Sequence, residues 1–251
     1  MILQVQNLHK AFGGLHAIDH CSFSVEENSI TGLIGPNGAG KTTMFDLING
    51  LMQPDEGHVL IKGQQVTSWP CHKRAKLGVA RTFQAIRVFP QLSALDNVVV
   101  ALPGHPEKLW DIFKPLKARR KNLEAQAMEF LQTVGIAEKA QVPAGELSFG
   151  QQKLLEIARC MATDADIFLL DEPAAGVNPT LLNTIKNLIL DLQKNGKTLL
   201  IVEHNMPFLM SIAHKIIVMN FGKELAIGTP EEIQNNPRVL EAYLGKAERG
   251  T

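Results

Sequence analysis

The sequence is poor in the features that mark disulfide-stapled and metal-stapled proteins. It contains only 3 cysteines in 251 residues, namely Cys21, Cys71 and Cys160. Thiols that are few, widely spaced and odd in number indicate a reducing compartment and buried side chains, and they argue against a disulfide framework or a cysteine-rich metal site. The 8 histidines bring no cysteine-rich cluster with them. No structural metal is therefore predicted.

Long apolar runs and an excess of one charge are also lacking. No apolar run approaches about 18 residues, the length that a membrane-spanning helix requires. The N-terminal segment MILQVQNLHKAF has none of the basic, apolar and small-residue parts of a signal peptide, so the chain is expected in the cytoplasm. Its 25 basic residues balance 25 acidic ones, which excludes a global field that draws the protein to nucleic acid or anionic lipid.

Strand-like and helix-like segments alternate along the chain, which predicts an α/β fold with a mainly parallel central sheet. The apolar runs at 166–170 and 198–202 are typical of buried parallel strands. Earlier in the chain, period-2 alternation at 21–25 and the turn-like PDEG at 54–57 predict antiparallel strands. We therefore expect a second, antiparallel β layer next to the parallel sheet.

Apolar residues at helical spacing predict helices at 44–51 and 181–192. Residues 93–162 carry helical patterns and little strand, so they predict an inserted helical subdomain. Within it, the basic run KPLKARRK at 114–121 is best explained as a solvated helix face, with a membrane or partner contact as the alternative.

A phosphate-binding loop is the strongest motif. The segment GLIGPNGAGKTT satisfies the pattern G-x-x-x-x-G-K-[ST] from Gly35 to Thr42, after a predicted strand and before a predicted helix. Its N–H groups and the helix N-terminus favour phosphate oxygens. We expect Lys41 to reach the β- and γ-phosphates of ATP and the Thr42 hydroxyl to bind Mg2+. The residues predicted to contact the nucleotide are Gly35, Pro36, Asn37, Gly38, Ala39, Gly40, Lys41, Thr42 and Thr43.

Two acids follow a buried strand in the segment DIFLLDEP. Ligands of open α/β sheets bind at the carboxyl ends of the strands, where Asp171 and Glu172 are expected to lie. Asp171 would hold Mg2+ through water, and Glu172 could polarise the water that attacks the phosphate. Such loop acids are commonly only solvated, but the phosphate loop favours the functional interpretation.

The segment LSFGQQ predicts a capped helix start with one anomaly. Ser148 and Gln151 fit the S-x-x-Q capping box. Gly150 lies inside the first turn, where glycine costs about 1 kcal/mol relative to alanine. A close approach to the backbone at this point would explain the glycine.

The order of these motifs resembles that of the ATP-binding subunits of ABC transporters over essentially the whole chain. The phosphate loop is followed by RTFQ ending at Gln84, the helical insert, LSFGQQ, LLDEP and finally His204 after the strand TLLIVEH. The resemblance implies a P-loop NTPase fold with a RecA-like parallel sheet core, an antiparallel β layer and an inserted helical subdomain. It divides the chain into a nucleotide-binding core, 1–84 and 165–251, and a helical signature subdomain, 85–164.

The resemblance also implies an ATPase dimer. In this family two copies, identical or homologous, pair head to tail, so Ser148, Gly150 and Gln151 would meet the γ-phosphate of ATP held by the partner. The same N-terminal helix charge would serve the cap and the phosphate. Gly150 would then be needed because phosphate must come close to the backbone.

Further roles carry over by position from the family. Gln84 would contact Mg2+ or the attacking water, and His204 would bridge the γ-phosphate and the catalytic region. Phe12, in KAFGG, matches the aromatic residue that stacks on adenine. Without the resemblance, a lone histidine or phenylalanine of this kind is more often structural. The implied catalytic set is Glu172, His204, Gln84 and Lys41, and the implied Mg2+ set is Thr42, Gln84 and Asp171.

Two positions depart from the family pattern. Asn178, in AAGVNP, falls where many relatives carry aspartate in the loop that communicates between the two sites, so an aspartate-dependent contact is not expected. Phe149 replaces the commoner second glycine of the signature, which matters less if its side chain points away.

The segment RTFQAIRVFPQLSALDNV and the tail GTPEEIQNNPRVLEAYLG look like those of the branched-chain amino acid uptake ATPases, including relatives that import urea or short amides. The implied function is ATP hydrolysis that powers import through a separate membrane permease, with the chain peripheral on the inner face of the membrane. The alternative is a soluble ABC-type ATPase that acts on nucleic acid or ribosomes. The balanced charge and the lack of a long coiled-coil insertion argue against it, and no nucleic acid is expected as a partner.

Overall fold

In the computed structural model, the described residues are 1–82, 86–103 and 116–244. The strands are β1 Leu3–Phe12, β2 Leu15–Val25, β3 Ile30–Ile34, β4 Glu56–Ile61, β5 Gln64–Gln65, β6 Val79–Arg81, β7 Ile167–Asp171, β8 Thr198–Val202, β9 Lys215–Asn220 and β10 Lys223–Gly228. The helices are α1 Lys41–Asn49, α2 Cys71–Lys76, α3 Ala94–Ala101, α4 Leu116–Thr133, α5 Phe149–Ala162, α6 Pro179–Lys194, α7 Met206–Met210, α8 Pro230–Gln234 and α9 Pro237–Leu244.

The chain forms two compact units. The first consists of Met1–Arg81, Asp166–Ala175 and Ile189–Thr251, and the second of Thr82–Ala165 and Gly176–Leu188. Both sheets belong to the first unit, whereas helices dominate the second.

The first sheet of the first unit is antiparallel, with strand order β2-β1-β4-β5. Strands β1 and β2 form a hairpin that closes where Phe12 pairs with Leu15. Cys21, Phe23 and Val25 are buried and Ser22 is exposed, as period-2 alternation requires. The predicted antiparallel layer is confirmed.

The second sheet has the order β10-β9-β3-β8-β7-β6. The strands β9, β3, β8, β7 and β6 are parallel neighbours, and β10 is an antiparallel edge strand. Every residue of β3, β7 and β8 is buried, which accounts for their continuous apolar sequences. The carboxyl ends of these three adjacent strands meet at one edge of the sheet, which positions the candidate site.

Helix α1 follows β3 and buries Met44, Leu47 and Ile48 as predicted. The prediction is wrong for Leu51, whose side chain is exposed. The helix ends at Asn49 because Gly50 adopts a left-handed conformation with φ 79°. A Cβ at position 50 would lie 2.7 Å from Nε of Arg74, so only glycine fits at this helix end.

The second unit is built on contacts among α3, α4 and α5. The buried Asn97 ties the preceding loop to α3, since its side chain donates to the carbonyl oxygens of Phe89, Leu92 and Ser93. In the basic run, Arg120 is 70% exposed and pairs with Glu124, which fits a solvated helix face. No helix in the described ranges is long and apolar enough to cross a membrane.

Candidate functional site

The backbone of the phosphate loop packs closely against neighbouring segments at two glycines. A Cβ on Gly35 would lie 2.2 Å from the carbonyl oxygen of Met219, and one on Gly40 would lie 2.4 Å from that of Ala17. A Cβ on Gly38 would meet nothing within 4 Å. The loop is therefore anchored at both ends and open in its middle, as a cradle for a ligand requires.

Lys41 begins α1 and folds back over the loop. Its Nζ donates hydrogen bonds to the carbonyl oxygens of Gly35 at 2.7 Å and Pro36 at 3.1 Å. Its side chain is buried, whereas Thr42 beside it is exposed. The ammonium group is thus held at the loop by uncharged carbonyl oxygens, and phosphate oxygens could replace them as acceptors.

The N-terminus of α1 suits an anion. Gly40 stands at the N-cap, no described side chain caps the helix, and no acidic residue lies in the first turn. The first N–H groups of a helix need acceptors, and the helix dipole favours negative charge there. Phosphate would satisfy both demands, so the loop fits the nucleotide that the sequence predicts.

Asp171 ends β7 with its carboxylate almost fully buried. Arg81 donates to it at 3.3 Å and to Asp46 at 2.6 Å. Burial is the largest influence and raises the pKa of Asp171, while Arg81 opposes it. Arg81 was not predicted from the sequence as a partner of Asp171, because only the pairing of β6 with β7 in the folded sheet brings the two residues together.

Glu172 has a left-handed backbone with φ 50°, which is uncommon for a residue with a side chain. Its N–H donates to the carbonyl oxygen of Val202 at 2.9 Å, which fixes the turn against β8. This conformation brings Oε1 to 3.2 Å from Nε2 of His204, and both side chains keep some exposure. The structure therefore brings together Glu172 and His204, two of the four residues predicted for catalysis.

Glu203 holds the backbone next to Glu172 and His204 through hydrogen bonds. It was not predicted from the sequence. Its buried carboxylate accepts hydrogen bonds from the N–H groups of Ala174 at 2.6 Å, His204 at 2.9 Å and Asn205 at 3.0 Å. It joins the loop after β7 to the loop after β8. The sequence signal for Glu203 was an acidic residue between the apolar strand at 198–202 and His204.

Two further predicted residues are Phe12, which belongs to the first unit, and Gln84. Phe12 ends β1 with its ring 46% exposed, and Nζ of Lys10 lies 5.6 Å from the ring centroid. An exposed aromatic ring at a hairpin tip is open to stacking. Gln84 lies outside the described residues.

In the second unit, the predicted capping box at the start of α5 is confirmed. The N–H of Gln151 donates to Oγ of Ser148, and the N–H of Ser148 donates to the Gln151 side chain. A Cβ on Gly150 would lie 2.6 Å from Cδ2 of Leu181. Close packing on α6 is thus a reason for the glycine that the sequence did not show.

The two departures from the family pattern lie near this helix start. Phe149 is 52% exposed, and a Cβ on Gly176 would lie 3.2 Å from its ring. Oδ1 of Asn178 accepts a hydrogen bond from the N–H of Leu181 at 2.9 Å, so Asn178 acts as an N-terminal cap of α6. A cavity of about 480 Å³ adjoins these groups and the N-terminus of α5.

Comparison with known proteins gives consistent matches. The sequence matches the family described as ABC transporter over residues 18–175 and the one described as branched-chain amino acid ATP-binding cassette transporter over residues 223–249. It is 45% identical over 251 residues to the high-affinity branched-chain amino acid transport ATP-binding protein BraF of Pseudomonas aeruginosa, with 98% of each chain covered. It is 41% identical over 253 residues to the corresponding LivG protein of Escherichia coli, again with 98% of each covered.

The fold is similar to that of a nucleotide-free ATP-binding cassette from an ABC transporter. The TM-score is 0.85 at 33% sequence identity, and the match covers 96% of this chain and 98% of the other.

Proposed function

The chain belongs to the ABC transporter family of ATP-binding cassettes, and from that premise we propose that it binds and hydrolyses ATP to power import of branched-chain amino acids through a separate membrane permease. The observation that carries the proposal is the shared edge of β3, β8 and β7. The phosphate loop follows β3 and His204 follows β8. Asp171 is the last residue of β7, and Glu172 comes directly after it.

ATP would bind with its phosphates over the loop and its adenine on Phe12. The open face of Gly38 and the uncapped N-terminus of α1 support this orientation. The Thr42 hydroxyl, and the Asp171 carboxylate through water, would supply oxygen ligands of the kind that Mg2+ prefers, with Gln84 as the further predicted ligand. When bound, Mg2+ neutralises charge on the phosphate oxygens.

Hydrolysis requires a base next to the attacking water, and we assign this role to Glu172. Its carboxylate would take a proton as the water oxygen bonds to the γ-phosphorus and the bond to the β-phosphate oxygen breaks. His204 holds Glu172 in place through the 3.2 Å contact and would reach the γ-phosphate. Lys41 would exchange its carbonyl partners for phosphate oxygens.

The second half of the site would come from another ATPase chain, identical or homologous, in a head-to-tail dimer. Ser148, Gly150 and Gln151 would face its ATP, since the start of α5 is exposed and its N-terminal charge favours phosphate. In this arrangement, 1–84 and 165–251 act as the nucleotide-binding core and 85–164 as the signature subdomain.

Import needs a membrane partner, and the proposed location is the inner face of the membrane, held there by permease subunits. The substrate is assigned from the relatives, which are named for branched-chain amino acid transport. Urea or a short amide is the alternative that the experiment must separate. We expect no nucleic acid, because the net charge is +0.

The deciding experiment is purification of a tagged Glu172→Gln protein from native membranes with ATP present. Loss of the base should leave ATP bound and the dimer closed, which preserves the complex. We expect polytopic membrane proteins to co-purify. Reconstitution with them and their binding protein should give ATP-dependent uptake of leucine, with urea and acetamide as competitors.

Recovery of only soluble or nucleic-acid-bound partners would contradict the transport function, provided that another membrane complex is recovered intact from the same preparation. Uptake of urea or acetamide in place of leucine would contradict only the substrate. A Lys41→Ala protein serves as the control, because it should fail to retain ATP under the same conditions.

A further inference from the structure

A cluster of histidines on the β1–β2 hairpin has no part in the proposed ATPase cycle. Donor atoms of His9, Asp19 and His20 all lie within 4.8 Å of one another. The ring of His9 is stacked on that of His20, with centroids 4.9 Å apart, and is tilted against that of His16 at 5.1 Å. The hairpin thus gathers three imidazoles and a carboxylate from its two strands, His9 from β1 and the other three residues from β2.

One ring nitrogen of His9 is left without a hydrogen bond in this cluster. Its Nδ1 is buried and has no hydrogen-bond partner among the described residues. The nearest anionic atom is Oδ1 of Asp19 at 3.9 Å, which is too far for a hydrogen bond. Buried polar atoms in folded proteins are nearly always paired, so an atom placed between these groups would satisfy Nδ1.

Asp19 divides its two oxygens between different neighbours. Lys223 lies 2.9 Å from Oδ2, whereas Oδ1 faces His9 at 3.9 Å and His20 at 4.0 Å. An ionised carboxylate with one oxygen anchored and the other directed at two imidazoles is a preformed half of a metal site.

We propose that His9, Asp19 and His20 bind a late first-row transition-metal dication, such as Zn2+, Co2+ or Ni2+. Two imidazoles and one carboxylate are a common ligand set for such ions. Water or His16 would complete the coordination. This proposal is independent of the ATPase function, and it departs from the sequence-based expectation that the protein has no structural metal.

The distances are compatible with metal binding after a small adjustment. Two ligands in a tetrahedral site with bonds of about 2.0–2.1 Å are about 3.3 Å apart. The observed separations are 3.9 and 4.0 Å from Asp19 and at most 4.8 Å between the two imidazoles, so side-chain shifts of roughly 0.5–1.5 Å would bring the three donors to these spacings. His20 is free to do so, because its side chain is 49% exposed. The charge of Lys223 opposes the cation and should limit its affinity.

The site differs from the proposed nucleotide site in its chemistry. Mg2+ selects oxygen ligands, whereas imidazole nitrogens select late transition metals. A metal between His9 and His20 would cross-link β1 to β2 across the hairpin that ends in Phe12. It would stiffen the presentation of that ring without touching the phosphate loop.

The test is a titration of the untagged, chelator-treated and nucleotide-free protein with Co2+. Calorimetry gives the stoichiometry and Kd, and visible absorption reports the coordination geometry. We expect one Co2+ per chain. His20→Asn and Asp19→Asn should each weaken binding about tenfold or more. Asparagine suits position 20 because it tolerates the left-handed conformation that His20 adopts with φ 52°.

His72→Gln is the matched control, since His72 is an exposed histidine on α2, outside the cluster. Its Kd should equal that of the parent, and circular dichroism should show that all variants are folded. The proposal is overturned if the parent binds no Co2+ at millimolar concentration. Equal affinity of the parent and both folded cluster variants would overturn it as well.

Discussion

The imidazole Nε2 of His204 lies 3.2 Å from Oε1 of Glu172, and two strand ends create this contact. Glu172 reaches it from β7 through a left-handed backbone, and His204 reaches it from β8. The adjacent Glu203 pins both loops with three N–H hydrogen bonds. A left-handed conformation costs energy for a residue with a side chain, so it persists only where surrounding contacts hold it. The geometry supports a catalytic role more strongly than exposed acids alone would.

Glu172→Gln should abolish most ATP turnover while preserving ATP binding. A general base typically contributes about 10²–10⁴-fold to the rate, and glutamine keeps the shape of the side chain without its basicity. The measurement is phosphate release by the reconstituted complex, together with retention of labelled ATP. Glu231→Gln, an exposed acid in the first turn of α8, is the matched control and should hydrolyse at the parent rate. Parent-like turnover of Glu172→Gln would contradict the assignment of the base.

Gly150→Ala separates two reasons for the glycine in the signature helix. A methyl group there would lie 2.6 Å from Cδ2 of Leu181, so packing alone predicts destabilisation. In the proposed head-to-tail dimer it would also block the approach of the partner's phosphate. We expect the double variant Gly150→Ala with Leu181→Ala to regain thermal stability relative to Gly150→Ala and to remain impaired in ATP-dependent dimerisation. Dimerisation restored along with stability would show that packing is the whole reason.

The sequence predicted the elements whose signals are local. Motif spacing and apolar strand patterns located the phosphate loop, Asp171 and Glu172, and the resemblance to the ABC transporter family located His204. The partners that hold these residues were not predictable, since their contacts depend on how distant strands lie side by side. Arg81 meets Asp171 only because β6 pairs with β7, and Leu181 meets Gly150 only through tertiary packing.

Arg74 illustrates a stability determinant without any sequence signal. Its fully buried guanidinium donates to four carbonyl oxygens, those of Leu47, Ile48, Thr67 and Trp69. Burial lowers its pKa to about 10, so the side chain stays charged at neutral pH. It therefore caps the C-terminal carbonyls of the helix that follows the phosphate loop.

Arg74→Met should lower the free energy of unfolding by about 3–5 kcal/mol, since it leaves several buried carbonyl oxygens unpaired. Urea unfolding followed by circular dichroism measures the change. Lys76→Met, an exposed basic residue on the same helix, is the control and should change stability by about 0.5 kcal/mol or less. A loss as small as that of the control would show that water or local rearrangement replaces the guanidinium.

The cysteines should react with thiol reagents in a fixed order. Burial raises the pKa of Cys160 to about 12 and also raises that of Cys21, whereas Cys71 is partly exposed on α2. Only the thiolate reacts, so iodoacetamide at neutral pH should label Cys71 first and the other two only after unfolding. Peptide mass spectrometry gives the order. Early labelling of Cys160 in the native protein would contradict the buried environment described here.

The pair of Arg81 and Asp171 yields a prediction about pH. Burial raises the pKa of Asp171, and Arg81 lowers it. A folded-state pKa above the unfolded value of about 3.9 favours the fold below that value, and this contribution is lost as the pH rises through the folded-state pKa. Removal of Arg81 raises the folded-state pKa further, so the loss at neutral pH becomes larger.

Arg81→Gln should therefore destabilise the protein more at neutral pH than near pH 4, because protonation of Asp171 removes a buried negative charge that the arginine no longer offsets. At neutral pH the expected loss is about 3–5 kcal/mol, the usual cost of breaking a buried ion pair. Arg120→Gln removes ion pairs from a side chain that is 70% exposed, so it should change stability little at either pH. Urea unfolding at both pH values measures the difference. If Arg81→Gln loses the same stability at both, ionised Asp171 is adequately solvated without its arginine, and burial does not control its protonation.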